Sequence, residues 1–110
     1  MLNMSDLLRG FTDTIILSRL KKGDSYGYEI NKSVQTMTEG TFELKEATLY
    51  TTFRRLETAE LISSYWGDEA TGARRRYYSI TDAGRELCRE NKAEWDSAKI
   101  MIDRLLEEEK

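Results

Sequence analysis

Apolar residues recur at helical intervals through the first half of the chain, and the interval changes once before the end. Leu7, Leu8, Phe11, Ile15, Ile16, Leu17 and Leu20 stand one, three or four apart, which predicts a helix over 6–22. Its apolar face is wider than one small core needs, so a second buried surface, such as a subunit contact, is expected. Lys21, Lys22 and Gly23 supply a basic last turn and a stop. Ser25 reads as the N-cap of a second helix to about Met37, with Tyr26, Ile30, Val34 and Met37 as its inward stripe. Gly40 ends that region, and residues 41–44 lead onward. In a third helix over 46–59, Leu49, Phe53 and Leu56 point inward. Thr48, Thr51, Thr52 and Arg55 take the opposite side, beside Arg54.

After residue 60 the pattern changes to that of strands. Tyr65, Trp66, Tyr77, Tyr78 and Ile80 favour strands over 61–66 and 74–80, and Gly67 and Gly72 favour a hairpin tip within 67–73. Thr81 caps a last helix with Asp82 in its first turn. Along that helix Cys88, Asn91, Trp95, Ala98, Ile102 and Leu105 alternate steps of three and four, the seam of a helix that packs lengthwise on others. About 28 residues would extend about 42 Å, against a radius of gyration near 13 Å for a compact domain of this size. The helix should overhang its own domain, and pairing with a second copy would cover the seam. The expected fold is mainly α with a small β-hairpin. A winged helix-turn-helix domain spans 1–80, with helix 6–22 also at the dimer interface, and a C-terminal dimerisation helix spans 81–110.

A length of 110 residues allows one such domain. With 39% hydrophobic and 34% charged residues, the chain reads as soluble and globular. No stretch approaches the roughly 18 apolar residues of a membrane span. Residues 1–8 lack the basic and apolar runs of a secretory signal, so a cytoplasmic location is expected. Cys88 is the single cysteine, which excludes an internal disulfide. The absence of histidine removes Ser-His-Asp chemistry, an imidazole base for Cys88 and most zinc sites. No catalytic residue, metal or cofactor is expected. The 20 acidic residues are interspersed with 17 basic ones, as on a solvated helical surface. A net charge of −3 does not decide for or against nucleic acid, because affinity depends on local cation–phosphate contacts.

Three helices followed by a hairpin is the order in which a third helix enters the major groove and a wing reaches along the backbone. Thr48, Thr51 and Thr52 can hydrogen-bond base edges or phosphates, and their methyls can touch thymine. Arg54 and Arg55 suit guanine or phosphate, and the Tyr50 hydroxyl suits phosphate. Lys45 sits where the helix begins and backbone N–H groups favour an anion. Ser25 and Tyr26, at the start of the second helix, join this candidate set. On the return strand of the hairpin, Arg74, Arg75 and Arg76 form a block of positive charge followed by Tyr77 and Tyr78. Arg74, Arg76 and Tyr78 share one strand face, and Arg75 and Tyr77 the other.

DSYGYEI (24–30), EATLYTTFRRLE (46–57), SSYWGDE (63–69) and RRRYYSITDAG (74–84) together resemble the PadR family of bacterial transcriptional regulators, short-chain class, over nearly the whole chain. The resemblance implies a homodimer whose winged helices bind a palindromic operator, usually as a repressor, with the last helix at the dimer interface. The family's commonest pattern has glycine at Ala47, proline at Thr52 and often glycine at Glu60. EATLYTTF and SSYWGDE look like the branch that represses multidrug exporters. That likeness implies a flat pore between subunits, with Trp95 stacking on a planar aromatic effector and Leu7, Phe11 and Ile15 lining the pore. The regulated gene would then be one for a transporter or a stress response. Lys92 and Lys99 share the face of Trp95, and Lys99 is placed among the ligand contacts; Asp13 or Asp96 would offset their charge. Three rivals remain: a winged-helix protein-interaction module that never touches DNA, a carboxylate-dependent hydrolase, and a structural helical assembly protein.

Overall fold

The computed structural model describes residues 3–67 and 74–107. Its elements are α1 (Met4–Leu8), a 3-10 turn (Arg9–Phe11), α2 (Thr12–Leu20), α3 (Gly27–Met37), α4 (Glu46–Thr58), β1 (Ile62–Trp66), β2 (Arg76–Ile80) and α5 (Asp82–Leu106). This is the expected mainly helical winged helix-turn-helix with a two-stranded hairpin and a long last helix. The hairpin tip expected over 67–73 falls on 68–73, outside the described residues, apart from Gly67.

The first helix is two pieces rather than one. Glycine is a poor helix former, and at Gly10 the chain tightens into a 3-10 turn. Phe11 leaves helical geometry at φ −108°, ψ 5°. The Thr12 hydroxyl donates to the Arg9 carbonyl at 3.1 Å. α1 buries no side chain, whereas α2 buries Thr12, Ile16, Leu17 and Leu20 and touches α3, α4, α5 and β2. α2 is therefore the centre of the fold. Around it Ile30 and Val34 of α3, Phe42 and Leu44 of the linker, Leu49, Phe53 and Leu56 of α4, Ile62, Tyr78 and Cys88 close one core. Each such side chain contributes about 1.5–3 kcal/mol by leaving water. The Phe53 and Tyr78 rings stack at 3.9 Å, joining α4 to the wing.

α3 begins one residue later than expected. Tyr26, not Ser25, is its N-cap. Ser25 is instead drawn into a bridge with the wing: its N–H donates to the Tyr78 carbonyl at 3.2 Å and the Tyr78 N–H donates back at 2.7 Å. Met37, expected inward, is 63% exposed, because at the last residue of α3 it borders an open cavity rather than the packed core. The Asn31 side chain holds the linker by donating to the Leu44 carbonyl and accepting from its N–H, both at 2.8 Å.

Both helices of the helix-turn-helix end in the same lock. Glu39 (φ 52°) and Glu60 (φ 61°) adopt the left-handed conformation. Beyond them the Gly40 N–H reaches the Gln35 carbonyl at 2.8 Å, and the Leu61 N–H reaches that of Leu56 at 2.9 Å. This conformation is one that glycine adopts without strain, and it ends α4 with Ala59 as C-cap. The next joint is equally tight. Thr81 Oγ1 donates to the Glu60 carbonyl at 2.8 Å and accepts the Gly84 N–H at 3.1 Å, capping α5 as expected. A Cβ on Gly84 would collide with the Leu61 carbonyl oxygen.

From that joint α5 runs 25 residues, about 37 Å. Gly84 and Cys88 are its only buried residues. The radius of gyration is 16.1 Å and the longest dimension 64 Å, so the helix does overhang. Cys88 does not belong to the exposed seam: it is 3% exposed and sits in the core of the chain.

Candidate nucleic-acid interface

α4 presents two faces. Thr48, Tyr50, Thr51 and Arg54 are exposed along it, and Lys45 is exposed at its N-cap, where its side chain makes no capping hydrogen bond. These side chains are therefore open to solvent. Thr52 is not. It is 4% exposed, and its hydroxyl donates to the Thr48 carbonyl at 2.8 Å. Its spacing from Leu49 and Leu56, three and four residues, already puts it in the inward stripe. Arg55 is also diverted. It forms a two-pronged pair with Asp13 of α2, at 2.7 and 2.5 Å, and the Asp13 carboxylate raises its pKa through hydrogen bonding and charge. Arg55 braces α4 against α2, leaving Arg54 as the exposed guanidinium at this turn without that tie.

The wing is a register-matched hairpin pairing Ile62 with Ile80, Ser64 with Tyr78 and Trp66 with Arg76. Glu57 of α4 holds its base: Ser64 Oγ donates to Glu57 Oε2 at 2.5 Å, and Arg76 pairs with the same carboxylate oxygen at 3.7 Å. The other face is an aromatic ladder. Tyr77 stacks on Tyr65 at 5.7 Å and meets Tyr26 edge-on at 5.4 Å, and the Arg75 guanidinium lies 4.8 Å from the centre of Tyr26. The Tyr65 hydroxyl donates to Asp24 at 2.6 Å, which raises its pKa. Arg74, Arg75 and Arg76 are all exposed, and Tyr77 is half-buried between them and the body. Tyr26 reaches this site through Arg75 and Tyr77. Ser25 is buried, with its hydroxyl donated to Glu29 at 2.5 Å, so it is not placed to contact DNA.

The profile of the transcriptional regulator PadR-like family matches residues 16–90. A transcriptional regulator from Clostridium thermocellum is 45% identical, with a TM-score of 0.86 over 94% of this chain and 100% of that one. A PadR family transcription regulator from Clostridium difficile is 38% identical, with a TM-score of 0.77 over 88% and 99%. An uncharacterised protein of Lysinibacillus sphaericus is 44% identical over 103 residues, 94% of either chain. The chain belongs to the PadR-like family. It is a DNA-binding transcriptional regulator, not an enzyme. Among the described residues no helix is long and apolar enough to cross a membrane.

This PadR-like chain also carries an apolar cavity of about 380 Å³ between α2, α3 and α5. Phe11, Ile15 and Trp95 line it, and Trp95 meets Phe11 edge-on at 5.1 Å; the cavity lies within one chain, between its own helices. Leu7 and Lys99 are not in its lining. Leu7 lies on α1, which the 3-10 turn offsets from α2, and Lys99 is a full turn beyond Trp95. Arg19 and Lys92 are the charged lining residues. Lys92 pairs with Asp96 at 2.7 Å, so Asp96 offsets that charge, whereas Asp13 is taken by Arg55. Asn91, expected at a subunit seam, donates to Thr14 Oγ1 at 2.9 Å within the protomer. Trp95, Ala98, Ile102 and Leu105 remain exposed, joined by Met101 and Leu106. Glu57 is a neighbour of the site that the sequence pattern did not single out. Asp13, expected as a charge offset near Trp95, instead ties Arg55, and Trp66, expected as a strand former, stands opposite Arg76. Of the three, only Trp66 had a usable signal for that place, the strand pattern of the hairpin.

Proposed function

We propose that the protein is a homodimeric repressor of a transporter or stress-response gene, released from a palindromic operator by a planar aromatic effector. The exposed stripe of α5 carries the reading. Trp95, Met101, Ile102, Leu105 and Leu106 stand in water along a helix whose far half touches nothing in its own protomer deeply enough to be buried. A second copy of the same stripe is its simplest cover. Pairing two protomers sets two α4 helices toward successive major grooves, roughly 34 Å apart. Thr48, Thr51 and Arg54 read bases, while Lys45, Tyr50 and the wing arginines hold phosphates.

The effector sits in the cavity beside Phe11, Ile15 and Trp95. Lys92 of the lining is offset by Asp96, and among the described residues Arg19 meets only the hydroxyls of Ser18 and Ser33. The charge left at the cavity is that of Arg19, which favours a neutral or anionic planar molecule over a cationic one. Binding there alters the angle between α2 and α5 and so the spacing of the two α4 helices. A differential affinity worth about 1–3 kcal/mol changes operator binding 5- to 150-fold. The test is sedimentation of the purified protein with a gel shift on its own upstream region, with and without a panel of planar aromatics. Expected are a dimer, a shifted band and its loss with some neutral or anionic compound. A monomer that shifts no DNA refutes the proposal in favour of a protein-interaction module.

A further inference from the structure

Gly27 opens α3 and is buried, yet its backbone does not call for glycine: of the described glycines only Gly23 and Gly40 have a positive φ. Glycine also weakens a helix, so space is the remaining reason for it. A Cβ on Gly27 would stand 2.9 Å from the Tyr50 hydroxyl oxygen, 3.3 Å from the ring carbon that bears it and 3.2 Å from a Leu49 methyl. The tip of Tyr50 therefore rests on the bare backbone of the first turn of α3. Its ring meets Phe53 edge-on at 5.8 Å, so the side chain is held at both ends although it is 44% exposed. Among the described residues the hydroxyl makes no hydrogen bond.

A phenol that swings freely loses rotamer freedom when it docks on a phosphate, and one already seated loses less. The seat lies where the helix-turn-helix meets the wing. Ser25 is bridged to Tyr78, and Tyr26 packs against Tyr77 and Arg75. On the other side, Gly27 and Tyr50 line a groove between α3 and α4. We propose that Gly27 is a positioning residue for operator binding: its missing side chain gives Tyr50 a fixed seat from which the hydroxyl donates to a backbone phosphate. This rests on the reading of Tyr50 as a phosphate contact. A hydroxyl at the far end of a side chain yields easily, so a methyl at position 27 displaces the contact at little cost to the fold.

The test is a mutant cycle of Gly27→Ala and Tyr50→Phe, alone and together, read as affinity for a duplex from the protein's own upstream region. Melting temperature and oligomeric state are followed for each variant. Tyr50→Phe keeps the ring and removes only the hydroxyl, and should weaken binding about tenfold. Gly27→Ala should weaken it about three- to tenfold, with the melting temperature close to that of wild type. In the Tyr50→Phe background, Gly27→Ala should change affinity by less than about twofold, because no hydroxyl is left to displace. Equal losses in both backgrounds would mean that the glycine acts through Leu49 or through α3 itself, and would overturn the seat. So would wild-type affinity for Gly27→Ala. If Gly27→Ala does not fold, the cycle is run in Leu49→Val, which removes the crowded methyl, with the same expected and overturning results. If Tyr50→Phe alone binds as wild type does, the phosphate reading of Tyr50 fails and the proposal with it, a result distinct from loss of the seat alone.

Discussion

α4 and α5 carry the same kind of apolar stripe and meet opposite fates. In α4, Leu49, Phe53 and Leu56 are buried by α2 and the wing, and the helix is held at its far end by Arg55–Asp13 and Glu57–Ser64. In α5, burial stops at Cys88 after two turns, and Leu105 is 75% exposed. The spacing of apolar residues is similar in both. What differs is the number of neighbours: α4 runs through the body, and α5 leaves it along α2. A stripe that is covered stabilises a fold, and one that is uncovered asks for a partner.

Five changes test this comparison, in falling order of effect. Phe53→Ala removes a ring that stacks on Tyr78 at the centre of the core, and should cost about 3–5 kcal/mol of folding stability by denaturant titration. An equivalent loss is not expected from Ile102→Asp with Leu105→Asp, because neither residue is buried in the protomer. That pair should leave the protomer folded by circular dichroism but raise the dimer dissociation constant at least about a hundredfold, with operator affinity falling in step. Unaltered sedimentation of the double variant would break the comparison.

Glu60→Gly acts on the joint between the two helices. An L-residue in the left-handed region is strained, and glycine relieves it, so a gain of about 0.5–1 kcal/mol in thermal unfolding is expected. Gly84→Ala at the same joint should go the other way, since its Cβ has no room. The smallest effect is at the wing. The Tyr65 phenol, hydrogen-bonded to Asp24, has its pKa raised above 10.0. A raised phenol pKa favours the protonated form in the folded state. Its contribution is therefore full below the ordinary phenol range and is lost as pH climbs past the raised value. Tyr65→Phe should lose that part of the alkaline sensitivity, seen as a shallower fall in melting temperature above pH 10.0 relative to wild type.

Much of the candidate interface was legible because its signals are local. The exposed threonines and Arg54 on α4, the arginine block leading into β2 and the Thr81 cap depend on residues a few positions apart. The misplaced residues depended on distant partners. Arg55 was assigned to DNA because no local pattern announces Asp13, 42 residues earlier. Ser25 has the chemistry of an N-cap, yet a backbone bridge to Tyr78 claimed it first, since two ladder hydrogen bonds outweigh one cap. Cys88 fitted the α5 seam by period but lies where α5 still touches the core. Thr52 was the one error open to correction by spacing alone.

Period and turn chemistry were enough to determine the order of elements, the place of the hairpin and the amphipathic character of every long helix, because those properties are set by neighbours in the chain. Packing alone decided which apolar stripe is covered, where the first helix breaks and which arginine is tied to a carboxylate. A stripe states that a face prefers to leave water; only the arrangement of the other elements states what is there to receive it.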